Sequence, residues 1–420
     1  MKNTIFYLDD MPDFFMPIDG YDHNLIFIYS LIHKTIFNMK QNQFVSDVVD
    51  DLSLNGQLKL KFKNNKYGIE AKDVYATLIY IIEHNSLYAS YLSFIVGVKA
   101  FLRGNAPLSR VQLCYQDNVL EAKMYDDYEY KYVLSSIHFA PLKFQKKQPL
   151  FGKGFGQYVL VQYNADQLTL VNKINGNKIY FLKERDVTKQ LAALNQSRCL
   201  IYTGCTSLSQ KMIIDKKATK IKSNMEMRLN ISSEIMMQYP QIKPLLSQWI
   251  NKYIKLYPLV NVKSCKQQKI IVKKINFQEI TILYACYYPN NIIIEQIKAF
   301  FEAYDVKVKV VSCNFKNFLR ADKEKYDLVF DIVEPITLSK FDFYLQEMNY
   351  LVRQKKQYIT TLNRWIQSNH DVKYETKLQE LLNEYSSSLC IGRYNMFYLK
   401  SDNAPYLQVD DYGQLLNLGG

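Results

Sequence analysis

The sequence predicts an α/β protein of more than one packed unit, and three observations carry that reading. A chain of 420 residues and 49.5 kDa exceeds what one ordinary core encloses and sets two or three units. Beyond Asn230, apolar strands alternate with helix-length segments, the pattern of an open α/β sheet. Before Asn230, short strands separated by turn residues dominate. Hydrophobic residues at 48% and charged residues at 22% belong to a folded chain, which removes disorder as the default.

From the N-terminus, residues 24–37 (NLIFIYSLIHKTIF) and 71–85 (AKDVYATLIYIIEHN) have helical spacing. The second places Val74, Leu78, Ile81 and Ile82 on one face. Between them, Leu58, Leu60 and Phe62 alternate with Lys59, Lys61 and Lys63, a half-buried strand entered from an Asn55-Gly56 turn. Residues 111–124 read as a hairpin turning at 116–118. Short strands follow at 158–161, 168–171 and 178–181, divided by turns at 164–166 and 175–177. A short helix is expected at 186–195 and an apolar strand at 199–203. In the second half, helices are expected at 244–257, 292–304, 317–323 and 373–387, and strands at 279–286, 306–312 and 326–333. A last strand pair is expected around 395–399 and 412–416. With no internal repeat and no low-complexity linker, the halves should share a tight interface.

The chemistry-bearing residues form no reactive constellation. Cys114, Cys199, Cys205, Cys265, Cys286, Cys313 and Cys390 are odd in number, without a CxxC or a histidine at zinc-ligand spacing, and read as free thiols of a reducing compartment. His23, His33, His84, His138 and His370 are dispersed, with no HExxH. The GKGFG run at 152–156 lacks the P-loop pattern and reads as a turn between strands. The hydroxyls at 386–388, and the thiol and hydroxyls at 204–207, have no base partner and no GxSxG elbow. Adjacent Asp9/Asp10 and Asp126/Asp127 point to opposite faces of any strand. No catalytic residue, metal site or cofactor is expected, and the chain reads as a binding protein, not an enzyme. The net charge of +13 admits a polyanionic partner, but the lysine clusters at 59–66, 143–147 and 216–222 are short and read as a solvated surface. No run approaches the ~20 apolar residues of a membrane span. The opening MKNTIFYLDDMPDFF carries no signal-peptide core or lipid-anchoring cysteine. A cytoplasmic protein is expected, extracytoplasmic if the true start lies upstream.

Four stretches, in order, resemble the family five solute-binding proteins, the oligopeptide-, dipeptide- and nickel-binding type. The first is Asn55-Gly56-Gln57 with LKLKFKNN, followed by Ile69-Glu70-Ala71-Lys72-Asp73-Val74, similar to the family's strand–loop–helix. The second is IVGVKAFLRGNA followed by VQLCYQDNVLEAKM. Gly154-Phe155-Gly156-Gln157-Tyr158 is the third, similar to a G-T-G-P-Y turn. The fourth, 292–333, sets an apolar helix before VKVKVVSCNFKNFL and Lys325-Tyr326-Asp327-Leu328-Val329. Asp411-Tyr412-Gly413 resembles the closing turn. The chain departs from the pattern where VFDIVEPITLSKF replaces an aromatic and acidic segment ending in Asp-Pro. It departs again where YPQIKPLLSQWI replaces an arginine- and alanine-bearing helix. The sequence also resembles the sensor portion of the cytoplasmic SgrR-type regulators.

The resemblance implies a two-lobed, periplasmic-binding-protein-like (type II) α/β fold with an extra β-rich subdomain in lobe one. Lobe one would take residues 1–229, with the subdomain at about 38–150. Lobe two would take 230–388, and 389–420 would return to lobe one. A small polar solute, peptide or sugar-like, would bind between the lobes at the carboxyl ends of strands and draw them shut about a hinge. The ligand-binding candidates are Tyr202, Thr203, Asn230 near the crossover, Tyr287, Asp331 and Glu334. Asp331 or Glu334 would fix an amine or hydroxyl, and Tyr202 and Tyr287 would stack on the ligand. The expected role is a cytoplasmic, SgrR-like ligand sensor or orphan solute-binding module, the alternative being the oligopeptide receptor of an ABC transporter. The partner is accordingly a regulator protein or an ABC permease. Nucleic acid is not expected without an added DNA-binding domain.

Overall fold

The computed structural model describes residues 3–8, 11–12, 16–20, 23–125, 129–194, 199–202, 210–216, 218–221, 223–263 and 277–419. Two sheets organise it. The first has seven strands in the order Tyr158–Tyr163, Gln167–Asn172, Lys178–Lys183, Thr4–Leu8, Cys199–Tyr202, Met396–Lys400 and Thr219–Ile221. Thr4–Leu8 is central and parallel to both neighbours. Its Phe6 and Leu8 point into the core, where Phe6 stacks on Phe181 at 5.1 Å and tilts against Phe27 at 5.3 Å. Phe27 belongs to the helix His23–Ile32. That helix is apolar on nearly every side, as a helix covered by a sheet and a subdomain must be.

The Gly-rich run joins this helix to the sheet edge. Gly156 N–H donates to Ile32 O at 2.7 Å, and Lys173 Nζ donates to Gly154 O and Gly156 O, both at 2.7 Å. A Cβ on Gly156 would lie 2.5 Å from Leu31 O, so the close approach requires glycine. The run is a structural clasp between Gln148–Gly154 and Tyr158–Tyr163.

The subdomain is an antiparallel sheet ordered Val49–Asp51, Gln57–Phe62, Val119–Lys123, Leu113–Gln116. Asn55 and Gly56 take φ of 49° and 74° in the two-residue turn read from the sequence, whose left-handed geometry Asn-Gly tolerates. Helix Ala71–Glu83 buries Val74, Leu78, Ile81 and Ile82 on the sheet. Its first turn is satisfied by Asn118 Oδ1, which accepts from Ala71 N–H at 2.8 Å, and by Asp73, which accepts from Glu70 N–H at 2.9 Å.

The second sheet has six strands in the order Val260–Val262, Ser388–Tyr394, Glu226–Ile231, Leu328–Val333, Glu279–Ala285 and Lys307–Cys313. Glu279–Ala285 runs parallel to both neighbours, with helix Asn290–Glu302 between it and Lys307–Cys313. Three further helices, Lys340–Glu347, Lys355–Gln367 and Val372–Tyr385, form a layer with its own core of Tyr344, Tyr358, Leu362, Trp365, Leu378, Leu381 and Leu382. The first two were not read from the sequence, although Tyr358, Thr361, Leu362 and Trp365 carry helical spacing on the buried face. The β-branched Ile359, Thr360 and Thr361 and a charged N-terminus blur that signal.

The chain crosses between the sheets twice, once between Ile221 and Glu226 and once through Asn395, which alone separates Ser388–Tyr394 from Met396–Lys400. Residues 226–229 and 389–394 belong to strands of the second sheet, beside the lobe boundaries expected at 229/230 and 388/389. Strand Ser388–Tyr394 escapes a sequence reading because it follows a helix with only Ser386 and Ser387 between them. The expected pairing of 395–399 with 412–416 is corrected. Met396–Lys400 lies antiparallel between Cys199–Tyr202 and Thr219–Ile221, while Leu415–Gly419 pairs with Tyr406–Val409. Among the described residues, no helix is long and apolar enough to cross a membrane.

Candidate ligand-binding cleft

Strand register fixes which edge of the second sheet faces the first. Glu226 pairs with Val333 and with Arg393, whereas Ile231 pairs with Leu328. The edge holding Glu226, Val333 and Arg393 is thus the one beside both crossovers. The carboxyl ends of Glu279–Ala285 and Lys307–Cys313 emerge there too, since both run parallel to Leu328–Val333 or its neighbour. In lobe one, Tyr202 ends its strand on the matching side, opposite Tyr398 and near Met396.

The crossovers are closely hydrogen-bonded. Asn395 donates from its backbone to Leu259 O at 2.7 Å and from Nδ2 to Pro258 O at 2.6 Å. Asn261 Nδ2 donates to Asn395 Oδ1 at 3.3 Å. On the other crossover, Asn224 Nδ2 donates to Asp411 O at 2.6 Å.

The candidate residues fare unequally. Asn230 pairs with Val329 and Ser388, at the sheet end away from the crossovers. An antiparallel strand presents its first residues, not its last, at the edge where its partner ends. Asp331 lies near the cleft edge, but its carboxylate takes Lys323 Nζ at 2.9 Å. Tyr287 sits past a strand end on the expected edge and packs edge-to-face on Phe315 at 6.3 Å, against the small core of Leu283, Ala285, Phe318 and Val329. Glu334 follows its strand toward lobe one, near enough to His138 for its charge to act on the imidazole. The side chain of Tyr202, and Thr203 altogether, lie outside the described residues.

The residue that dominates this wall was missed by sequence reading. Arg228, opposite Asp331 and Cys390, is 11% exposed. It donates to Glu226 from Nη2 at 2.8 Å and from Nε at 3.2 Å, and to Glu347 from Nη1. Burial works against the charge, but Glu347 and Glu226 outweigh it and hold the guanidinium more firmly protonated than in water. Nothing in the spacing of 226, 228 and 347 announces this triad; only the i,i+2 pair on one strand face was legible. Nearby Lys243 is pushed down to about 8, chiefly by burial, and donates to Ser386 O at 2.8 Å.

Two histidines bear on the chemistry available. Burial lowers His138 to about 4 and His33 to about 3, so both are neutral at pH 7. His138 Nδ1 contacts Pro17 O at 2.7 Å as a satisfied core group. A cavity of about 50 Å³ beside His33, lined also by Lys34, Asn38, Tyr67 and Gln414, has room for a few waters and not for a solute. Among the described residues, no cluster of three or more His, Cys, Asp or Glu is placed to hold a metal ion.

No protein-family model matches the chain, and no curated protein matches it in sequence. Solved structures do. Haemophilus influenzae OppA in complex with RPPGFSPFR superposes with a TM-score of 0.74 at 12% identity, over 96% of this chain and 95% of that one. Staphylococcus aureus NikA in complex with Ni(L-His)2 gives 0.73 at 13% identity, over 100% and 99%. The Escherichia coli murein tripeptide binding protein MppA gives 0.73 at 12% identity, over 98% and 96%. An unliganded open form of MppA gives 0.63 at 13%, over 98% and 95%. The fold is two-lobed, α/β and periplasmic-binding-protein-like, of type II. By their descriptions these neighbours are a murein tripeptide binding protein, a protein in complex with a peptide and a protein in complex with a nickel–histidine species.

Proposed function

We propose that this chain binds a small polar solute without chemical transformation, closing its lobes on it, and that the solute is a short peptide. The observation that carries the reading is the pair of sheets that turn their strand ends toward each other across two crossovers. Ligands of open α/β sheets bind at such ends. The peptide class is supported by the likeness, over nearly the whole chain, to a peptide complex. Glu334 is the residue we assign to a ligand amine, because its strand delivers it to the face of lobe one. Tyr202, whose strand ends on the matching side of the first sheet, is assigned to the opposite wall, and Thr203, outside the described residues, stays a candidate from the sequence alone.

In this reading the partner is an ABC permease. The cytoplasmic, SgrR-like sensor with a regulator partner is the second reading, supported by the resemblance of the sequence to that sensor portion. Fractionation of the producing cells separates them, since a receptor is recovered outside the cytoplasm and a sensor within it.

The test of binding is a thermal-shift series with tri- to nonapeptides, sugar phosphates and the nickel–histidine complex. A ligand at roughly 100 times its Kd adds about 2.7 kcal/mol to the folded state and raises the midpoint with concentration. The expected result is a rise with peptides alone. A rise with only the nickel complex would move the solute class, and a flat response from a folded sample would end the solute-binding reading.

A further inference from the structure

A two-lobed binding protein needs only its crossovers to join its lobes, and closure is ordinarily stabilised by the solute. Here a third junction exists, made by the chain that follows strand Leu328–Val333. Ile336 packs against the core of the β-rich subdomain in lobe one. Leu338 packs with Met39, Phe44, Tyr132 and Tyr412. Its N–H donates to Tyr412 Oη at 3.3 Å, and that hydroxyl donates to Tyr132 O at 2.6 Å. Ser339 then caps helix Lys340–Glu347, accepting from Phe341 N–H at 3.1 Å. Near the far end of the helix, Gln346 Nε2 donates to Tyr91 Oη at 2.7 Å, on the subdomain turn Ala89–Phe94.

The segment is held to lobe two at both ends. One end is strand Leu328–Val333; the other is Glu347, which accepts from Arg228. Between these anchors, Asp342 is bonded to the Thr337 hydroxyl, bracing the loop against the helix. The span is thus a rigid arm rooted in one lobe and seated on the other.

We propose that residues 336–346 are a built-in latch that holds the lobes closed without solute, so that solute enters only from a minor open population. The proposal rests on the solute-binding reading for its purpose, though not for its test. A latched closed state lowers apparent affinity by the open fraction. Loosening the latch therefore opens the empty protein and speeds association.

Small-angle scattering of the solute-free full chain tests this directly. The wild type should show the compact radius of gyration of the structure, and the double variant Ile336→Ser/Leu338→Ser a larger one. Ile336 and Leu338 are half-buried at the junction, outside the cores of lobe two, so both lobes should still fold; circular dichroism checks this. Gln346→Ala with Tyr412→Phe is the milder second variant, read by faster hydrogen exchange at the Leu338 amide. An expanded wild type, or folded variants with unchanged radius and unchanged Leu338 exchange, overturns the latch. Because no solute is present, these outcomes stand apart from the thermal-shift result. A peptide binder with open empty lobes sinks the latch alone, and a latched protein that binds nothing sinks the binding reading alone.

Discussion

Arg228 carries the largest electrostatic stake of any single side chain on the cleft wall. Its two carboxylates are themselves mostly out of water, at 25% exposure for Glu226 and 8% for Glu347. Arg228→Ala leaves both charges without a partner, and the expected loss is about 3–5 kcal/mol, measured by urea unfolding. Glu347→Gln should cost less, since an amide oxygen still accepts from the guanidinium. Asp410 gives the opposite case. Burial pushes its carboxyl up to about 7, while the N–H groups of Gln414 and Tyr412 pull it the other way. The folded state therefore holds a proton that the unfolded chain has released. This stabilisation is complete below about pH 4 and is lost as pH rises through about 7. Asp410→Asn keeps the acceptor oxygen and removes the charge, so it should flatten that fall and be the more stable protein at pH 8. Denaturation midpoints at pH 5 and pH 8 check this; an unchanged slope would clear Asp410 of the role. At this scale the sequence was half legible. Asp331 and Glu334 were placed at a strand end correctly, yet Asp331 is occupied by Lys323. Asn230 was offered as a crossover residue because strand Glu226–Ile231 was not legible, and that strand carries it to the sheet end away from the crossovers.

At the scale of elements, alternation and turn chemistry made most of the chain readable. The Leu58, Leu60, Phe62 alternation and the Asn55-Gly56 turn describe one hairpin arm completely. What escaped were elements whose signal is made by tertiary packing. Helix Lys355–Gln367 is polar apart from one stripe, and it is stable because Val372–Tyr385 and Lys340–Glu347 cover that stripe. Trp365 is its keystone, fully buried, edge-on to Tyr344 at 5.3 Å and stacked on His370 at 4.2 Å. Trp365→Ala should cost about 3–5 kcal/mol. Because the layer has a core of its own, the loss should appear first as proteolysis between residues 340 and 385, with the seven-stranded sheet still protected. Simultaneous cleavage throughout the chain would show instead that the layer is not a separate cooperative unit.

For the whole molecule, the alternation after Asn230 made an open α/β sheet legible, and the two-lobed fold class came from the resemblance carried by the order of motifs along the sequence. Strand order was only partly legible: Tyr158–Tyr163, Gln167–Asn172 and Lys178–Lys183 are neighbours in the chain as in the sheet, but other neighbours are far apart in sequence and no local pattern records them. Thr4–Leu8 and Met396–Lys400 flank the same strand, Cys199–Tyr202. In lobe two, Ser388–Tyr394 separates Val260–Val262 from Glu226–Ile231. That insertion has a consequence for the protein's birth. As the chain leaves the ribosome, each lobe waits with a vacant slot in its sheet, and one continuous stretch around Asn395 fills both slots almost at the end of translation. Neither lobe can finish before the other. From the emergence of Val260–Val262 until Ser388 follows, the nascent chain carries an unfilled slot in each sheet, the state in which aggregation competes with folding, and a ribosome stalled before Ser388 would release two incomplete lobes instead of one finished and one missing.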